Sequence, residues 1–528
     1  MFKKLRREFC GAVAKKSEIN LYRRIDTISL GSYEQKKYQS NNKIKRKCLV
    51  DFSHYFYPKW NVKSKLFVNK FDRDTEIHAF APNLFFVWPS LRVIFGQILM
   101  AISGKQKCLS KAFGFRKNLK PAFIKLTNLS RDIKWARDEL RLVESKSDIL
   151  EINIEGIVIG DLIYDTYLKW FKKPTVNQKD IRLLFLLIIA RTYTENCKKI
   201  FRENQYTDVL LTHSVYIAFG ILARVALDSG ASVKVIQNVR GKTHRELTKN
   251  HPYQAECFAE YPSVLKGIKA NELISLRAKA ELELNSRLKG DVSAINYMRN
   301  SAYNTGTQPP NFSNIDPYPG RPRVFIPLHC FFDSPHIYRW ILFPDFYEWL
   351  DCILPYLLEN KINVYLKPHP NGIEGNSMIV EQLKEKYKDV QLIDAATDNS
   401  SLRPRHFDAV LTVYGTIAHE FAYKGFQVIN AGDNPHIGFS FSLTPNSVSE
   451  YLSAIKGILF KEKKIEISNQ EIFDFYVAHF LLARDLVTAP LEEFESSLPI
   501  NSSIEKVNAY LLSDSKLKEL INCIPSDL

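Results

Sequence analysis

Ile362-Asn363-Val364-Tyr365-Leu366-Lys367-Pro368-His369-Pro370 and Asp408-Ala409-Val410-Leu411-Thr412-Val413-Tyr414-Gly415-Thr416 decide the fold. Each begins with a short run rich in β-branched or apolar residues, as a buried parallel strand does, and ends on residues that stop one. The first predicts a strand over 362–366 that proline terminates. The second predicts a strand over 408–413, a turn at Gly415-Thr416 and a helix over 417–424. Two loops are thereby placed at the carboxyl ends of strands, where open α/β sheets bind ligands.

The residues in those loops suit an anion. Thr416 and the backbone N–H groups after Gly415 stand where a helix begins, so hydroxyl, amides and helix dipole can all receive phosphate. Lys367 adds positive charge, and His369 can donate a hydrogen bond or move a proton near neutral pH. Glu420, one helical turn past Thr416, is placed to accept from ribose hydroxyls. Together they suggest a pocket for a sugar nucleotide. The plainer alternative is that Lys-Pro-His-Pro only ends a strand and Gly-Thr only caps a helix. Either motif alone would favour that alternative; both in one apparent α/β half favour the pocket.

The same grammar extends on both sides. A strand over 324–328 leads into a loop rich in His and Asp, containing Asp333 and His336. The helix over 345–359 then carries Trp349, Ile353 and Leu357 on one face, which core packing explains. Upstream, 48–52 reads as an opening strand and 152–159 as another. Gly160-Asp161-Leu162-Ile163-Tyr164-Asp165 follows, where Asp161 and Asp165 share a helical face and Asp161 also fits an N-cap. A long helix over 178–203, a strand over 207–211, a helix over 215–227 and a strand over 233–236 make a second parallel sheet. His213 and Tyr216 would face the crevice above it, and Arg240 and Lys242 would offer cations to an anionic ligand. Five prolines between 301 and 323 break all periodicity. The expected division is a basic arm over 1–47, a first domain over 48–300, a linker over 301–322, a second domain over 323–465 and a helical extension over 466–528.

Length excludes a single ordinary core, and 45% hydrophobic residues are enough to bury two. The net charge of +16 calls for an acidic partner. Nucleic acid would satisfy the charge, but no zinc-finger, RNP or helix-turn-helix signature supports it. Eight scattered cysteines with no CxxC pair argue against a zinc site or a disulfide framework and fit a reducing cytoplasm. No signal peptide is evident. The stretch 84–102 is interrupted by Pro89, Arg92 and Gln97, so a buried or interfacial helix is expected there. The basic arm would be drawn to anionic lipid headgroups on the inner face of a membrane, or else be a solvated tail.

Gly160 to Asp165, Thr212-His213-Ser214-Val215-Tyr216, Phe331-Phe332-Asp333-Ser334-Pro335-His336, Tyr347-Glu348-Trp349-Leu350, Lys367-Pro368-His369-Pro370 and Tyr414-Gly415-Thr416 together resemble bacterial surface carbohydrate and capsule polysaccharide biosynthesis proteins. These are similar to GT-B glycosyltransferases. More distantly, the His-Pro motif followed by a small-hydroxyl loop looks like bacterial sialyltransferases, capsule Kdo transferases and CDP-glycerol polyol-phosphate transferases. The resemblance implies an α/β, GT-B-like fold of two Rossmann-like domains facing a central cleft. It also implies a metal-independent transferase with no cofactor beyond its nucleotide-sugar substrate. His369 would contact the donor phosphate or assist the leaving group, and Thr416 would bind phosphate, with Lys367, Tyr414, Gly415, Glu420, His336 and Asp333 around them. CMP-, CDP- and UDP-linked donors all stay open. Asp161 is the first candidate to activate an acceptor hydroxyl, with Asp165 or His213 in reserve. Tyr216, Arg240 and Lys242 would touch the acceptor, a glycan or lipid-linked glycan. A polyol-phosphate transferase, a nucleotide-sugar epimerase and a non-enzymatic glycan-assembly component share the same pattern.

Overall fold

Val324 and Ile326 pack on one side of their strand while Phe325, between them, packs on the other. Val364 and Leu366 against Tyr365, and Ala409 and Leu411 against Val410, repeat the alternation. Strands with apolar side chains on both faces need a layer of helices on each side. The chain builds that arrangement twice. A computed structural model describes residues 16–33, 46–52, 57–71, 74–80, 105–119, 126–236, 244–253, 258–291, 300–482, 489–498 and 502–524.

The first sheet contains β1 (Lys47–Asp51), β2 (Glu76–Phe80), β3 (Lys117–Leu119), β6 (Asp208–Leu211), β7 (Ser232–Val235) and β8 (Arg245–Leu247). β4 (Asn153–Ile154) and β5 (Ile157–Val158) form a separate hairpin. The second sheet contains β9 (Arg323–Pro327), β10 (Asn363–Lys367), β11 (Gln391–Leu392), β12 (Ala409–Thr412) and β13 (Val428–Asn430). Their orders are β3-β2-β1-β6-β7-β8 and β11-β10-β9-β12-β13. Every pairing in the two sheets is parallel except β7 with β8. In each, the first strand lies inside and the chain winds outward both ways, so a crevice opens where the direction of winding reverses. The α/β class read from the sequence, with two mostly parallel sheets, is therefore present.

Several expectations are corrected. The strand expected over 152–159 is the β4–β5 hairpin, because Glu155 and Gly156 both take positive φ, the geometry of a tight two-residue turn. The arm over 1–47 is not wholly an arm: Lys16–Tyr33 is a helix that buries Leu21, Tyr22 and Ile25 in the first lobe. The boundary at 300 is too late. The Ala270–Leu288 helix packs Ala280 and Leu284 into the second lobe, and Phe312 of the expected linker is core there too. The C-terminal extension divides, with Asn469–Tyr476 in the second lobe and the helices Ala489–Ser497, Ile504–Tyr510 and Asp514–Asn522 returning to the first. Lys59 and Lys63 hold that return: Glu495 lies 2.7 Å from one ammonium and 3.1 Å from the other. Residues 84–102, Arg240 and Lys242 lie outside the described residues. Among the described residues no helix is long and apolar enough to cross a membrane.

Candidate functional site

β9 lies between β10 and β12, so three loop tips stand side by side at the carboxyl edge of the second sheet. They carry His369, His329 and Tyr414-Gly415-Thr416. His369 is exposed, and the Asn371 N–H donates to its Nδ1 at 3.0 Å. A backbone N–H can only donate, so in the neutral ring the proton sits on Nε2. Partial desolvation, with the Lys367 and Arg287 charges nearby, lowers its pKa below the ordinary imidazole value. His369 is thus a neutral N–H donor at pH 7. Thr416 precedes the Ile417–Tyr423 helix, is exposed, and its hydroxyl has no partner among the described residues. A Cβ at Gly415 would stand 2.8 Å from Thr412 Oγ1, so any larger residue there would have to displace that hydroxyl. Tyr414 walls this edge, 4.4 Å from the Tyr338 ring and 5.4 Å from Phe346, centroid to centroid.

Two expected donor contacts are occupied elsewhere. Lys367 is buried and its ammonium donates to the Thr397 carbonyl at 2.6 Å and to Asn399 Oδ1 at 2.5 Å. Burial pushes its pKa down to about 8. Glu420 is buried and accepts from the Tyr303 hydroxyl at 2.6 Å and from Arg287 Nε at 3.2 Å. Both side chains fasten parts of the second lobe together, so neither is open to phosphate or ribose as the sequence suggested.

The Gly160–Phe171 helix of the first lobe docks on the loop after β9, and the acids singled out in the sequence are used there. Asp161 is not the N-cap, which is Ile159; its carboxylate takes both Nη groups of Arg224, one at 2.6 Å. Asp165 Oδ1 lies 2.6 Å from His336 Nδ1, and the Tyr164 hydroxyl donates to Asp345 Oδ2 at 2.5 Å. Lys169 and the Tyr216 hydroxyl reach Asp333 at 2.9 and 3.4 Å, and Lys146 reaches Glu348. Asp165, His336, Asp333 and Tyr216 therefore stitch the lobes together rather than line an open donor site. Tyr216 does so from a left-handed backbone, φ 61°, a strained conformation for an aromatic residue. His213, three residues earlier at the end of β6, sits between the rings of Trp60 and Phe219 at 5.9 and 5.3 Å.

This seam should respond to pH. His336 stands between the Asp165 carboxylate and the Pro344 carbonyl, 2.9 Å from Nε2, so both nitrogens are satisfied only when both carry protons. Burial opposes the charge, but Asp165 outweighs it and the His336 pKa is raised. Burial pushes Asp345 up to about 6. A group with a raised folded pKa stabilises fully below its unfolded value and ceases to as pH climbs through the folded one. The seam is expected to loosen between about pH 4 and 6 through Asp345, and above about pH 6.5 through His336. Amide hydrogen exchange in 160–171 and 328–345, corrected for intrinsic rate, should be faster at pH 8.5 than at pH 6. Equal or greater protection at pH 8.5 would contradict the assignment.

Sequence reasoning missed Arg224, Asp345 and His329 as site residues. Arg224 left a signal, a lone cation inside the apolar 221–227 run, which demands a buried acid. Asp345 left one too: it precedes a helix with Glu348 three residues on, and its Oδ1 indeed accepts from the Glu348 N–H.

No protein-family model matches the sequence, and no curated protein matches it. Solved structures to which the chain is similar include the beta Kdo 2,4 transferase KpsC of Thermosulfurimonas dismutans, at 17% identity over 52% of this chain and 79% of that one, TM-score 0.31. The UDP-GlcNAc 2-epimerase from Neisseria meningitidis bound to UDP-GlcNAc is 9% identical over 89% and 100% of the two chains, TM-score 0.20. The wall teichoic acid polymerase TagF is 10% identical over 97% and 99%, TM-score 0.20.

Proposed function

We propose that this chain is a metal-independent glycosyltransferase that holds a nucleotide-activated sugar at the carboxyl edge of the second sheet and passes the sugar to a bacterial surface glycan held by the first lobe. The observation that carries the reading is the pairing at that edge. His369 and Thr416, on the strands flanking β9, present an N–H and an O–H that no other described part of the protein uses. Two such donors face the charge that develops on a leaving phosphate, and fixed donors of that kind need no reorganisation during the reaction. Asp161 and Asp165 are held by Arg224 and His336, so His213 becomes the candidate base for the acceptor hydroxyl. The lobes meet along the 160–171 helix beside this edge, which would shield the activated donor from water.

Nucleotide binding is the direct test. CMP, CDP, UDP and GDP added separately to the full chain should include one that raises the melting temperature. At a hundredfold excess over its dissociation constant it would stabilise by about 2.7 kcal/mol. If all four leave the transition where it was, the reading fails. Product formed from the nucleotide sugar alone, without acceptor, would favour an epimerase over a transferase.

A further inference from the structure

His329 ends the central strand of the second sheet, between the His369 tip and the Gly415 tip, and the reading above gives it no role. Its ring is pinned. Phe346 stacks on it at 4.5 Å and 14°, while Tyr414 and Trp349 close on it at 5.0 and 6.5 Å.

Its tautomer is fixed as well. The Val413 N–H donates to Nε2 at 3.3 Å, which requires that nitrogen to be an acceptor. Thr412 Oγ1, 3.1 Å from the same nitrogen, accepts from the Gly415 N–H at 3.2 Å and so has its own proton to give to the ring. Both bonds place the ring proton on Nδ1. Burial, with His369 nearby, pushes the pKa down to about 3, so the ring stays neutral wherever the protein works. No described residue accepts from Nδ1. Beside the ring, Gly415 is closely packed: a Cβ there would meet Thr412 Oγ1 at 2.8 Å and Ile417 Cγ2 at 3.3 Å and lie 3.6 Å from His329 Cε1. That side chain would break the relay that sets the tautomer.

We propose that His329 Nδ1–H is a third, permanently neutral donor to a phosphate oxygen of the activated nucleotide, acting with His369 Nε2–H and the Thr416 hydroxyl. The inference rests on the proposed function and deepens it. The phosphate is held by uncharged donors on three neighbouring strand ends rather than by an ammonium, Lys367 being engaged elsewhere. The share of His329 in this recognition, like a neutral imidazole used as an electrophile, does not titrate between pH 6 and 8.5.

The imidazole offers two amide mimics that divide its functions. Asparagine places an N–H near the position of Nδ1 and abandons the Nε2 contacts; glutamine reaches the Nε2 position and abandons the Nδ1 donor. Using the full chain and whichever of the four nucleotides binds, calorimetry should show His329→Gln weakened at least tenfold, with the fold retained by circular dichroism. His329→Asn should stay within about threefold of wild type, because it keeps the donor to the phosphate oxygen. Wild-type affinity in His329→Gln would overturn the inference and leave the proposed function standing. Failure of the wild type to bind any nucleotide would end both. Where a variant does not fold, wild-type protein labelled with 15N-histidine decides: the His329 Nδ1 signal should move on adding saturating nucleotide and not titrate from pH 6 to 8.5, and a signal that ignores the nucleotide overturns the assignment.

Discussion

Asp161→Ala should destabilise the first lobe by about 3–5 kcal/mol, the cost of removing one partner from a buried ion pair. Arg224 is 8% exposed, and beyond Asp161 its hydrogen-bond acceptor is the Val158 carbonyl, 2.6 Å from Nη1. Removing the carboxylate leaves a guanidinium that cannot neutralise itself by losing a proton. The loss falls on the 160–171 helix, which has little room to shift: a Cβ on Gly160 would meet the Ile149 carbonyl at 1.9 Å, and Leu162 already fills the space beside Gly220. Urea unfolding of Asp161→Ala, Arg224→Met and the pair Asp161→Leu with Arg224→Met should show two large losses and a double variant that recovers much of either. A catalytic base would behave otherwise, with Asp161→Ala keeping wild-type stability and losing only turnover. Wild-type stability in that variant is the result that would return Asp161 to the active site.

That reversal of role shows what the sequence can carry. The strands at 362–366 and 408–413 were legible because a buried parallel strand advertises itself locally, through a short apolar run and a stop. The positions of His369 and Thr416 at strand ends came with them. Partnerships were not legible. Asp161 meets an arginine 63 residues on, and Glu420 meets Tyr303, 117 residues back; nothing in a local window distinguishes an acid awaiting a substrate from one already paired. Domain limits failed for a related reason, since the chain crosses between lobes and returns. Counting Lys and Arg over 1–47 hid the Leu21, Tyr22 and Ile25 face. A truncation at residue 42, the natural cut for testing membrane attachment, would remove core as well as charge; a cut at residue 15 spares that helix.

His369→Ala should lower turnover of the activated donor by about 10²–10³, with the melting temperature unchanged. Stability is spared because the side chain is exposed and accepts a single hydrogen bond among the described residues, from the Asn371 N–H, which water can replace at the surface. Turnover is not spared, because Nε2–H would face an oxygen that gains negative charge only as the glycosidic bond breaks, so the bond it makes is stronger in the transition state than in the ground state. The loss should therefore appear in kcat and much less in KM. A lowered pKa fixes the share of His369 in the pH profile: the ring remains neutral above about pH 6.5, so the factor lost in His369→Ala should be the same from there to pH 8.5. A general acid would instead lose activity as pH rose through its pKa. His369→Gln, whose amide N–H can occupy nearly the place of Nε2–H, should recover part of the rate while His369→Ala recovers none. An alanine variant that turns over donor at the wild-type rate would remove the imidazole from the chemistry, and with it the reason for placing the donor phosphate at this edge of the second sheet.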